Sequence, residues 1–231
     1  MVSVSVFFPC YNEEGNVRRT VENALGVLEK LNADFELIVV DDGSSDGTGR
    51  IADEMAGRDK RIKVVHHPHN LGYGAALRSG FAAATKELIF YTDGDGQFDM
   101  NEMPPLLPLM EQWDIASCYR LNRRDPLIRK INAWAWTKLV GIVFGLRVRD
   151  VDCAFKLYKR EIFDRIKLSS TGALIDAEIL ARAAGKGYRI TQKGVHHYPR
   201  TAGVQTGAKP RVILRAFKEL FKLHHQIRSG Q

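Results

Sequence analysis

The sequence predicts an α/β protein in which a mostly parallel central sheet lies between two layers of helices. Three observations support this prediction. Strand-like apolar runs alternate with amphipathic helix-like segments through the first half of the chain, as in βαβ units. The run Phe35–Val40 is almost continuously apolar, which is typical of a parallel strand buried on both faces. Polar or glycine-rich loops follow these strands, and ligands bind at that edge of open α/β sheets.

The first half of the chain is predicted to be a regular alternation of strands and helices. Val2–Phe8 alternates apolar residues with serine and is predicted to be the first strand. The segment Val17–Leu31 has apolar residues at helical spacing, and Asn16 stands where a helix cap is expected. The other predicted elements are strands over Phe35–Val40, Ile62–His66 and Glu87–Tyr91 and helices over Gly49–Ala56 and Ala75–Ala84.

The second half is predicted to contain helices over Pro104–Met110, Asn132–Leu146 and Leu174–Gly185 and strands over Asp114–Tyr119 and Val195–Tyr198. A basic amphipathic helix is predicted over residues 211–231. The helix Asn132–Leu146 is too short and too interrupted to span a bilayer. Its apolar residues fit either a core helix packed on the sheet or an interfacial helix with tryptophans at headgroup depth.

Composition limits the functional classes. The chain has 231 residues, with 45% hydrophobic and 26% charged residues, as in an ordinary soluble globular protein. Its formal net charge of +7 favours an anionic partner: nucleic acid, an anionic membrane surface or a phosphorylated substrate. We disfavour a nucleic-acid-binding module, because no aromatic RNA-binding motif is present. The N-terminus does not read as a signal peptide, and the three cysteines are widely spaced, which together predict a reducing, cytoplasmic location.

The segment after the strand Glu87–Tyr91 contains alternating oxygen ligands. Asp93, Asp95 and Gln97 point the same way on an extended chain and can converge on one point. Such oxygen ligands suit Mg²⁺ or Mn²⁺ beside a substrate diphosphate. Gly94 and Gly96 allow a tight turn and the close approach of a ligand. The alternative is a polar turn without a metal.

Other strand ends carry further candidates. Asp41 is placed to hydrogen-bond a ribose or a base. Asp42 and Asp46 fit capping of the following helix, and we favour this role for Asp46. The loop with Gly72 and Gly74 precedes the helix Ala75–Ala84. In one interpretation the N-terminus of this helix faces a phosphate. In the other, the loop is a simple turn.

Four motifs occur together in order: Pro9-Cys-Tyr-Asn-Glu-Glu14, Val40-Asp-Asp-Gly-Ser-Ser-Asp-Gly-Thr48, Asn70-Leu-Gly-Tyr-Gly-Ala-Ala-Leu-Arg-Ser-Gly80 and Asp93-Gly-Asp-Gly-Gln97. Together they resemble family 2 glycosyltransferases with the Rossmann-like GT-A fold, a three-layer sandwich, and most closely the dolichol- or polyprenol-phosphate sugar synthases for mannose or glucose. The resemblance extends to about Arg211. It implies a nucleotide-diphosphate sugar donor, a divalent Mg²⁺ or Mn²⁺ and an inverting transfer. It divides the chain into a glycosyltransferase domain over 1–210, with a nucleotide-sugar half over 1–99 and an acceptor half over 100–210, and the C-terminal helix.

The resemblance also implies roles for individual residues. The nucleotide-sugar site comprises Pro9, Tyr11, Glu13, Asp41, Asp93 and Gly94. The metal site comprises Asp93, Asp95 and Gln97, with Asp95 and Gln97 on the diphosphate. The catalytic set is Asp93, Asp95, Arg200 and Lys209. Cys10 stands where the family usually has a small residue.

Cations cluster after the strand Asp114–Tyr119. Arg120, Arg123, Arg124 and Arg129 are close in sequence, and guanidinium groups bind phosphate in a bidentate manner. The resemblance assigns the acceptor phosphate to Arg120, Arg129, Arg200 and Lys209, with Arg129 the weaker match. It also places Asp150 under the acceptor site, with Ala154 in place of the usual glycine and Asp152 as an additional acidic residue, and it places Glu178 near the acceptor. Glu178 alternatively only stabilises the start of its helix.

The sequence therefore predicts a metal-dependent, inverting glycosyltransferase that moves a hexose from a GDP- or UDP-sugar to a polyprenyl phosphate. We expect it to be cytoplasmic and peripherally bound to the membrane surface through its basic helix. Alternatives are transfer to a sugar or protein hydroxyl and a nucleotide-sugar-binding sensor. We disfavour the sensor because both metal-site carboxylates are present.

Overall fold

The computed structural model describes residues 2–122, 127–200 and 219–227. The strands are β1 (Ser3–Cys10), β2 (Asp34–Asp41), β3 (Ile62–His66), β4 (Leu88–Thr92), β5 (Ile115–Ser117), β6 (Tyr119–Leu121), β7 (Phe155–Lys159), β8 (Ile190–Thr191) and β9 (Gly194–His196). The helices are α1 (Val17–Lys30), α2 (Thr48–Arg58), α3 (Tyr73–Ala83), α4 (Leu127–Phe144), α5 (Glu161–Arg165), α6 (Ile175–Gly185) and α7 (219–227). Short 3₁₀ helices span Met100–Glu102 and Pro104–Glu111.

The main sheet has seven strands in the order β3-β2-β1-β4-β7-β5-β8, and β6 pairs with β9 in a second, two-stranded sheet. The strands β1 to β4 are parallel to one another, whereas β7 runs antiparallel between β4 and β5. The carboxyl ends of β1, β2 and β4 therefore meet at one edge. This arrangement confirms the predicted α/β class with a mostly parallel central sheet.

Each face of the sheet buries its own set of side chains, because alternate residues of a strand point to opposite faces. Val6 and Phe8 of β1 belong to the apolar cluster that includes Leu28 of α1. Phe7, between them, belongs to the cluster that includes Leu77 of α3. Helices therefore cover the sheet on both faces, which explains the continuous apolar runs of the strands.

Gly80 sets how closely α3 approaches the sheet. A Cβ at this position would lie 2.3 Å from Cδ2 of Phe7. We expect Gly80→Ala to lower the free energy of unfolding by about 1–3 kcal/mol, because the ring is fully buried and has no room to move. Gly26→Ala in α1 is the matched control, since nothing lies within 4 Å of its added Cβ. That variant should gain up to about 1 kcal/mol from helix propensity. Urea unfolding curves in which both variants shift alike would contradict this account.

Most predicted elements agree with the structure to within a few residues, but two predicted elements differ in form, and α5, β7 and β8 were not predicted. The strand predicted over Asp114–Tyr119 is divided into β5 and β6, which join different sheets. The segment Pro104–Glu111 is a 3₁₀ helix with Pro108 inside it. The strand β7 was not predicted, because Lys156 interrupts its apolar run.

The helix α4 leaves much of its surface uncovered. Thr137 and Val140 are its buried residues, whereas Leu127, Ile128 and Ile142 are strongly exposed. The helix α4 is therefore only in part the core helix packed on the sheet that was one of the two predicted interpretations. Among the residues that the structure describes, no helix has the length and apolar character needed to cross a membrane.

The helix α7 corresponds to part of the predicted C-terminal basic helix. Leu220 and Leu223 are buried against the core, whereas Phe221 is exposed. This part of the helix therefore packs one apolar face on the body of the protein. The rest of the predicted helix, including Arg211 and Arg228, lies outside the described residues, and the proposed boundary at residue 210 stays a prediction.

Candidate active site

The loop after β4 holds two carboxyl groups, of which Asp95 is buried and Asp93 half-buried. Burial is the main cause that raises the pKa of Asp93, to about 8, and the neighbouring Asp95 raises it further. Burial also raises the pKa of Asp95, with a smaller contribution from Glu13. The Tyr73 hydroxyl donates to Oδ1 of Asp93 at 3.1 Å, and the Gln97 backbone N–H donates to Oδ1 of Asp95 at 3.0 Å. Two close carboxyl groups with raised pKa values are typical of a functional site.

Gly94 brings this loop onto the end of β1. A Cβ on Gly94 would lie 2.3 Å from Sγ of Cys10, and the Gly94 N–H donates to the carbonyl oxygen of Pro9 at 3.3 Å. A residue with a side chain at position 94 would therefore displace the loop from β1. The structure also explains why a small residue is suitable at position 10, where the thiol fills the space under the loop.

The segment after β9 docks on the same loop. The backbone N–H of Tyr198 donates to the carbonyl oxygen of Gln97 at 2.8 Å, and Nε2 of Gln97 donates to the carbonyl oxygen of Tyr198 at 2.8 Å. These two hydrogen bonds hold the segment that contains Arg200 against the loop, next to the carboxylates of Glu13 and Asp95. The Arg200 guanidinium pairs with Glu13, and its Nη1 lies 3.6 Å from Oδ2 of Asp95. The structure thus brings together three distant parts of the sequence: Glu13, the pair Asp95 and Gln97, and Arg200.

Asn16 contributes to the site in a way the sequence did not predict. It occupies the cap position of α1, but its side chain makes no capping hydrogen bond. Instead, Nδ2 of Asn16 donates to Oε2 of Glu13 at 2.8 Å. The Glu13 backbone N–H donates to Oγ1 of Thr48 at 2.7 Å. The predicted cap is wrong, and Asn16 orients the carboxylate that receives Arg200.

The donor set of this loop fits a divalent cation. No group of three or more His, Cys, Asp or Glu side chains in the described ranges is arranged to hold a metal. Mg²⁺, however, commonly takes one or two protein carboxylates and completes its shell with water and substrate phosphates. Asp93 and Asp95 supply such a pair, and a cation between them would offset their mutual repulsion. The ligand role of Gln97, whose amide oxygen would face the metal, stays a prediction; its amide nitrogen donates to the carbonyl oxygen of Tyr198.

Asp41 lies at the carboxyl end of β2, on the same edge of the sheet. Its Oδ1 accepts the Ser44 N–H at 3.0 Å, and its Oδ2 lies 3.1 Å from Nδ1 of His66. The other ring nitrogen of His66 lies 3.0 Å from Oδ1 of Asp53. Asp53 first and then Asp41 raise the pKa of His66, because both carboxylates favour the imidazolium. His66 therefore fixes the orientation of Asp41, the residue predicted to hydrogen-bond the ribose or base.

We expect His66 to make stability depend on pH. Its pKa is raised in the folded state, so its contribution is fully present below the unfolded value of about 6.5 and is lost as pH rises through the folded pKa. His66→Asn should flatten the fall in free energy of unfolding between about pH 6 and pH 8. Urea unfolding at several pH values measures this slope. His225→Asn, on the exposed side of α7, is the control. Equal slopes for wild type and His66→Asn would contradict the pairing.

Asp42 and Asp46 separate in the structure. Oδ1 of Asp46 accepts the Thr48 N–H at 3.0 Å, so Asp46 bonds the first residue of α2 from the position before the cap residue Gly47. Asp42 instead accepts the Leu71 and Gly72 N–H groups at 2.9 and 3.0 Å. Capping is therefore the wrong role for Asp42, which holds the loop that precedes α3.

The glycine-rich loop does not present open backbone to a phosphate. The Gly74 N–H donates to the carbonyl oxygen of Thr171 at 3.0 Å. A Cβ at Gly72 would lie 2.7 Å from that same oxygen, and one at Gly74 would meet the backbone of 170–172. The phosphate-facing interpretation of this loop is therefore wrong. The glycines allow a second loop to pack against the start of α3.

Glu178 holds that second loop in place through hydrogen bonds to its backbone. Its carboxylate accepts the N–H groups of Ser169 and Ser170 at 3.0 and 2.7 Å and receives Nε of Arg182 at 2.9 Å. These hydrogen bonds lower the pKa of the fully buried Glu178 against the opposing effect of burial. Glu178 lies in the first turn of α6, as predicted, and it also holds the backbone of this loop; its role near the acceptor stays a prediction.

A buried polar cluster lies under the acidic loop, and sequence reasoning missed it. Nζ of Lys156 donates to Oδ1 of Asp176 at 2.5 Å, to the Cys153 carbonyl at 2.7 Å and to the Tyr91 hydroxyl at 3.1 Å. Tyr91 in turn donates to Asp176. Its signal in the sequence is a lysine at an inward position of an apolar strand. Asp176 is also close enough to raise the pKa of Asp93.

The predicted acceptor side contains a second charge cluster. Nε and Nη2 of Arg120 donate to the two carboxylate oxygens of Asp150 at 2.6 and 2.7 Å. Burial, with the nearby Asp176, raises the pKa of Asp152 to about 7, and Nε1 of Trp136 donates to this residue at 3.2 Å. Asp152 is therefore not the surface charge that its sequence context allows.

Beside Arg120 the surface opens into a cleft of about 470 Å³. Its walls come from β6, from α4 and from the segment before β7, and they include Tyr119, Arg120, Asn122, Lys130, Trp134 and Arg149. Arg129, on the first turn of α4, is not among the lining residues. The other predicted cations Arg123, Arg124 and Lys209 lie outside the described residues.

The chain is similar in sequence to known proteins over most of its length. Residues 5–167 match the family model described as Glycosyl transferase family 2. The chain is 32% identical to a dodecaprenyl-phosphate galacturonate synthase from Rhizobium johnstonii, over 99% of this chain and 70% of that protein. It is 34% identical to glycosyltransferase AglD of Haloferax volcanii, over 86% of this chain, and 31% identical to an undecaprenyl-phosphate 4-deoxy-4-formamido-L-arabinose transferase of Proteus mirabilis, over 70% of it. The chain spans about a third and half of the lengths of these two relatives.

Solved structures of similar fold contain nucleotide and metal. Mannosyltransferase PcManGT from Pyrobaculum calidifontis, in complex with GDP-Man and Mn²⁺, matches with a TM-score of 0.68 and 19% identity, over 96% of this chain and 65% of that one. Glucosyl-3-phosphoglycerate synthase from Mycobacterium tuberculosis, in complex with Mn²⁺, UDP and phosphoglyceric acid, matches with a TM-score of 0.65 and 20% identity, over 98% of this chain and 76% of that one. At this level of identity, the likeness establishes the fold.

Proposed function

Because the chain belongs to glycosyl transferase family 2, we propose that it transfers a hexosyl group from a nucleotide-diphosphate sugar to a polyprenyl phosphate. The observation that supports this most is the convergence of Arg200, Glu13 and the acidic pair Asp93 and Asp95 at one edge of the sheet. The cationic cleft beside Arg120 supports an anionic acceptor.

On the donor side, Asp41 would hold the ribose or base, and Pro9, Tyr11 and Glu13 would line the nucleotide pocket. Asp93 and Asp95 would hold a Mg²⁺ or Mn²⁺, which supplies positive charge to the departing diphosphate. Arg200 lies beside Asp95, and its guanidinium would be a second positive charge that stabilises the departing diphosphate. Lys209 would do the same from the segment that follows Arg200.

On the acceptor side, the names of two relatives include a polyprenyl phosphate. A phosphate acceptor is already anionic at neutral pH, so it attacks without a strong general base. Arg120 and Arg129 would then neutralise the acceptor, together with Arg200 and Lys209. The charge of Arg120 is held in place by Asp150.

A hydroxyl acceptor is the second candidate, and the environment of Asp152 favours it. Burial raises the pKa of this carboxyl to about 7, which suits a general base at neutral pH, and Asp152 lies two positions after Asp150, which lines the cleft. A sugar or protein hydroxyl would need such a base, whereas a phosphate would not. We rank this candidate second because the cleft next to Asp150 has a net excess of cations.

A nucleotide-sugar screen tests the donor half of the proposal. Each GDP- and UDP-hexose is added with Mn²⁺ and without it, and the thermal midpoint of the protein is recorded. A bound donor raises the midpoint by mass action, and the rise should require the metal. No shift with any nucleotide sugar would contradict the proposed donor site.

We also propose that the enzyme works at the cytoplasmic face of a membrane, bound at its surface. The row formed by Leu127, Ile128, Ile131, Trp134 and Ile142 lies on one face of α4, because these residues fall within about 120° at 100° per residue. All of them are more than half exposed. An apolar face with nearby cations is typical of a helix that lies in the membrane interface. The basic helix predicted over 211–231 would add electrostatic attraction.

We expect Ile128→Ser/Ile142→Ser to weaken binding to anionic vesicles by about tenfold, because two exposed apolar side chains would leave the interface. Neither residue lines the cleft, so recognition of the acceptor should be unaffected. Sedimentation with anionic and neutral vesicles, at low and high salt, measures the binding. Phe221→Ser on α7 is the control that tests the other helix. Equal sedimentation of the wild type and the double variant would exclude α4 as a membrane contact.

A further inference from the structure

Arg149 occupies an unexpected place in the cleft. It stands directly before Asp150, and its guanidinium carbon lies 4.0 Å from the centre of the Tyr119 ring. The Arg149 backbone N–H donates to Oε1 of Gln192 at 2.7 Å, which fixes the chain at this point. A guanidinium stacked on an aromatic ring keeps its N–H edges available while its orientation is restricted. The stack therefore orients the Arg149 guanidinium at the wall of the cleft.

The charges of the cleft are not balanced. Arg120 gives its Nε and Nη2 to Asp150, so this pair is close to neutral as a unit. Within the part of the chain that the structure describes, no carboxylate lies within ion-pair distance of Arg149 or of Lys130. Both side chains line the same cleft. Two cations that face one cleft without an acidic partner favour an anionic ligand, and a guanidinium matches the geometry of a phosphate.

The cleft borders the exposed apolar row of α4. Trp134 lines the cleft and is also a member of that row, and it is 62% exposed. Ile131 and Leu127, about one and two turns nearer the start of α4, continue the row and do not line the cleft. A ligand that fits both surfaces has a phosphate at one end and an apolar chain at the other.

From this juxtaposition we propose that Arg149, with Lys130, binds the phosphate of the polyprenyl acceptor, and that Trp134 and Ile131 contact the first units of its chain. The inference rests on the proposed function and deepens it by assigning acceptor recognition to residues outside the set Arg120, Arg129, Arg200 and Lys209. In this arrangement Asp150 positions Arg120, and Tyr119 positions Arg149.

The test uses a pair of arginines with the same charge. Arg149→Gln removes the stacked guanidinium, and Arg147→Gln, two positions earlier and also exposed, is the matched control that does not line the cleft. Farnesyl phosphate is the probe. Farnesol, which lacks the phosphate, and inorganic phosphate, which lacks the apolar chain, are measured beside it. Binding is measured by calorimetry, and transfer is measured as the KM for farnesyl phosphate and for the donor.

We expect Arg149→Gln to weaken farnesyl phosphate binding and to raise its KM by about tenfold or more, with the donor KM unchanged. Arg149→Lys should recover part of the loss, since it restores the charge without the fork. Arg147→Gln should behave as the wild type. Equal effects of Arg149→Gln and Arg147→Gln would overturn the inference while leaving transfer to farnesyl phosphate, and so the proposed function, intact. A wild type that neither binds nor glycosylates farnesyl phosphate would overturn both.

A vesicle-binding experiment distinguishes the polyprenyl phosphate acceptor from a membrane phospholipid, whose headgroup also contains a phosphate. Sedimentation with phosphatidylglycerol vesicles is compared for Arg149→Gln and Arg147→Gln. If the two variants bind vesicles equally and differ only in the KM for farnesyl phosphate, Arg149 recognises the acceptor. If Arg149→Gln loses vesicle binding and keeps the wild-type KM in detergent, Arg149 binds membrane lipid, and the assignment to the acceptor is wrong.

Discussion

Asp95→Asn is expected to abolish sugar transfer and to leave the protein folded. The carboxylate would be one of the two anionic ligands of the metal, and loss of the metal's charge stabilisation is worth several kcal/mol, or about a thousandfold in rate. It also lies 3.6 Å from Arg200, so the change would release the cation proposed to face the diphosphate. Transfer rate and donor binding across a Mn²⁺ titration measure the effect.

Stability should move in the opposite direction to activity in this variant. Oδ1 of Asp95 accepts the Gln97 N–H, and the asparagine oxygen can keep that bond. The pKa of Asp95 is raised, so its ionised form is disfavoured by the fold, and a neutral side chain of the same shape removes that cost. The thermal midpoint without metal should therefore stay the same or rise.

Asp99→Asn provides the matched control. Asp99 lies on the same loop, and its Oδ1 accepts the N–H two residues later, as Asp95 does. It is not one of the residues that meet Arg200. Asp99→Asn should keep wild-type transfer and metal dependence. Wild-type turnover in Asp95→Asn, or an unchanged Mn²⁺ titration, would contradict the proposed metal site.

Lys156→Met is expected to lower the free energy of unfolding by about 3–5 kcal/mol. Lys156 is fully buried, and its Nζ makes hydrogen bonds to Asp176, Tyr91 and the Cys153 carbonyl. Methionine fills a similar volume but leaves the buried Asp176 without its cation. The cost therefore arises mainly from an uncompensated charge and not from lost packing.

The double variant Lys156→Met/Asp176→Asn separates charge from packing. Removing both charges should recover much of the stability, because no isolated carboxylate then remains in the core. Urea unfolding of wild type, Lys156→Met and the double variant gives the comparison. A double variant as unstable as Lys156→Met would show that the ion pair is not the reason for the effect.

The parts of the fold that local sequence patterns determine were predictable. The strands β1 to β4 are apolar runs that end in distinctive polar residues, so both their existence and their shared edge follow from the sequence. The position of Asp93 and Asp95 directly after β4 was predictable for the same reason. The extended chain on which their convergence was predicted is absent, because residues 94–96 form a turn. The structure adds that Asp95 is buried and Asp93 half-buried, which no local pattern shows.

The parts that depend on distant contacts were not predictable. The strand β7 was not predicted because Lys156 interrupts its apolar run. A lysine is stable at this buried position because its partner Asp176 is supplied by α6, which no local pattern shows. Glu178 and Asp42 were given local roles, whereas the structure uses both to bind the backbone of loops distant in sequence. Arg149 has no motif around it, and its role in the cleft depends on the ring of Tyr119, thirty positions earlier in the chain.

The measurement that tests the proposed function most directly is identification of the transfer product. The protein is incubated with GDP- and UDP-hexoses, Mn²⁺ and an equal mixture of a polyprenyl phosphate and its dephosphorylated alcohol, and the lipids are analysed by mass spectrometry. We expect a single hexose on the polyprenyl phosphate, formed only when metal is present, and an unmodified alcohol. A hexose on the alcohol, or donor consumption that does not depend on the polyprenyl phosphate, would contradict the proposed reaction.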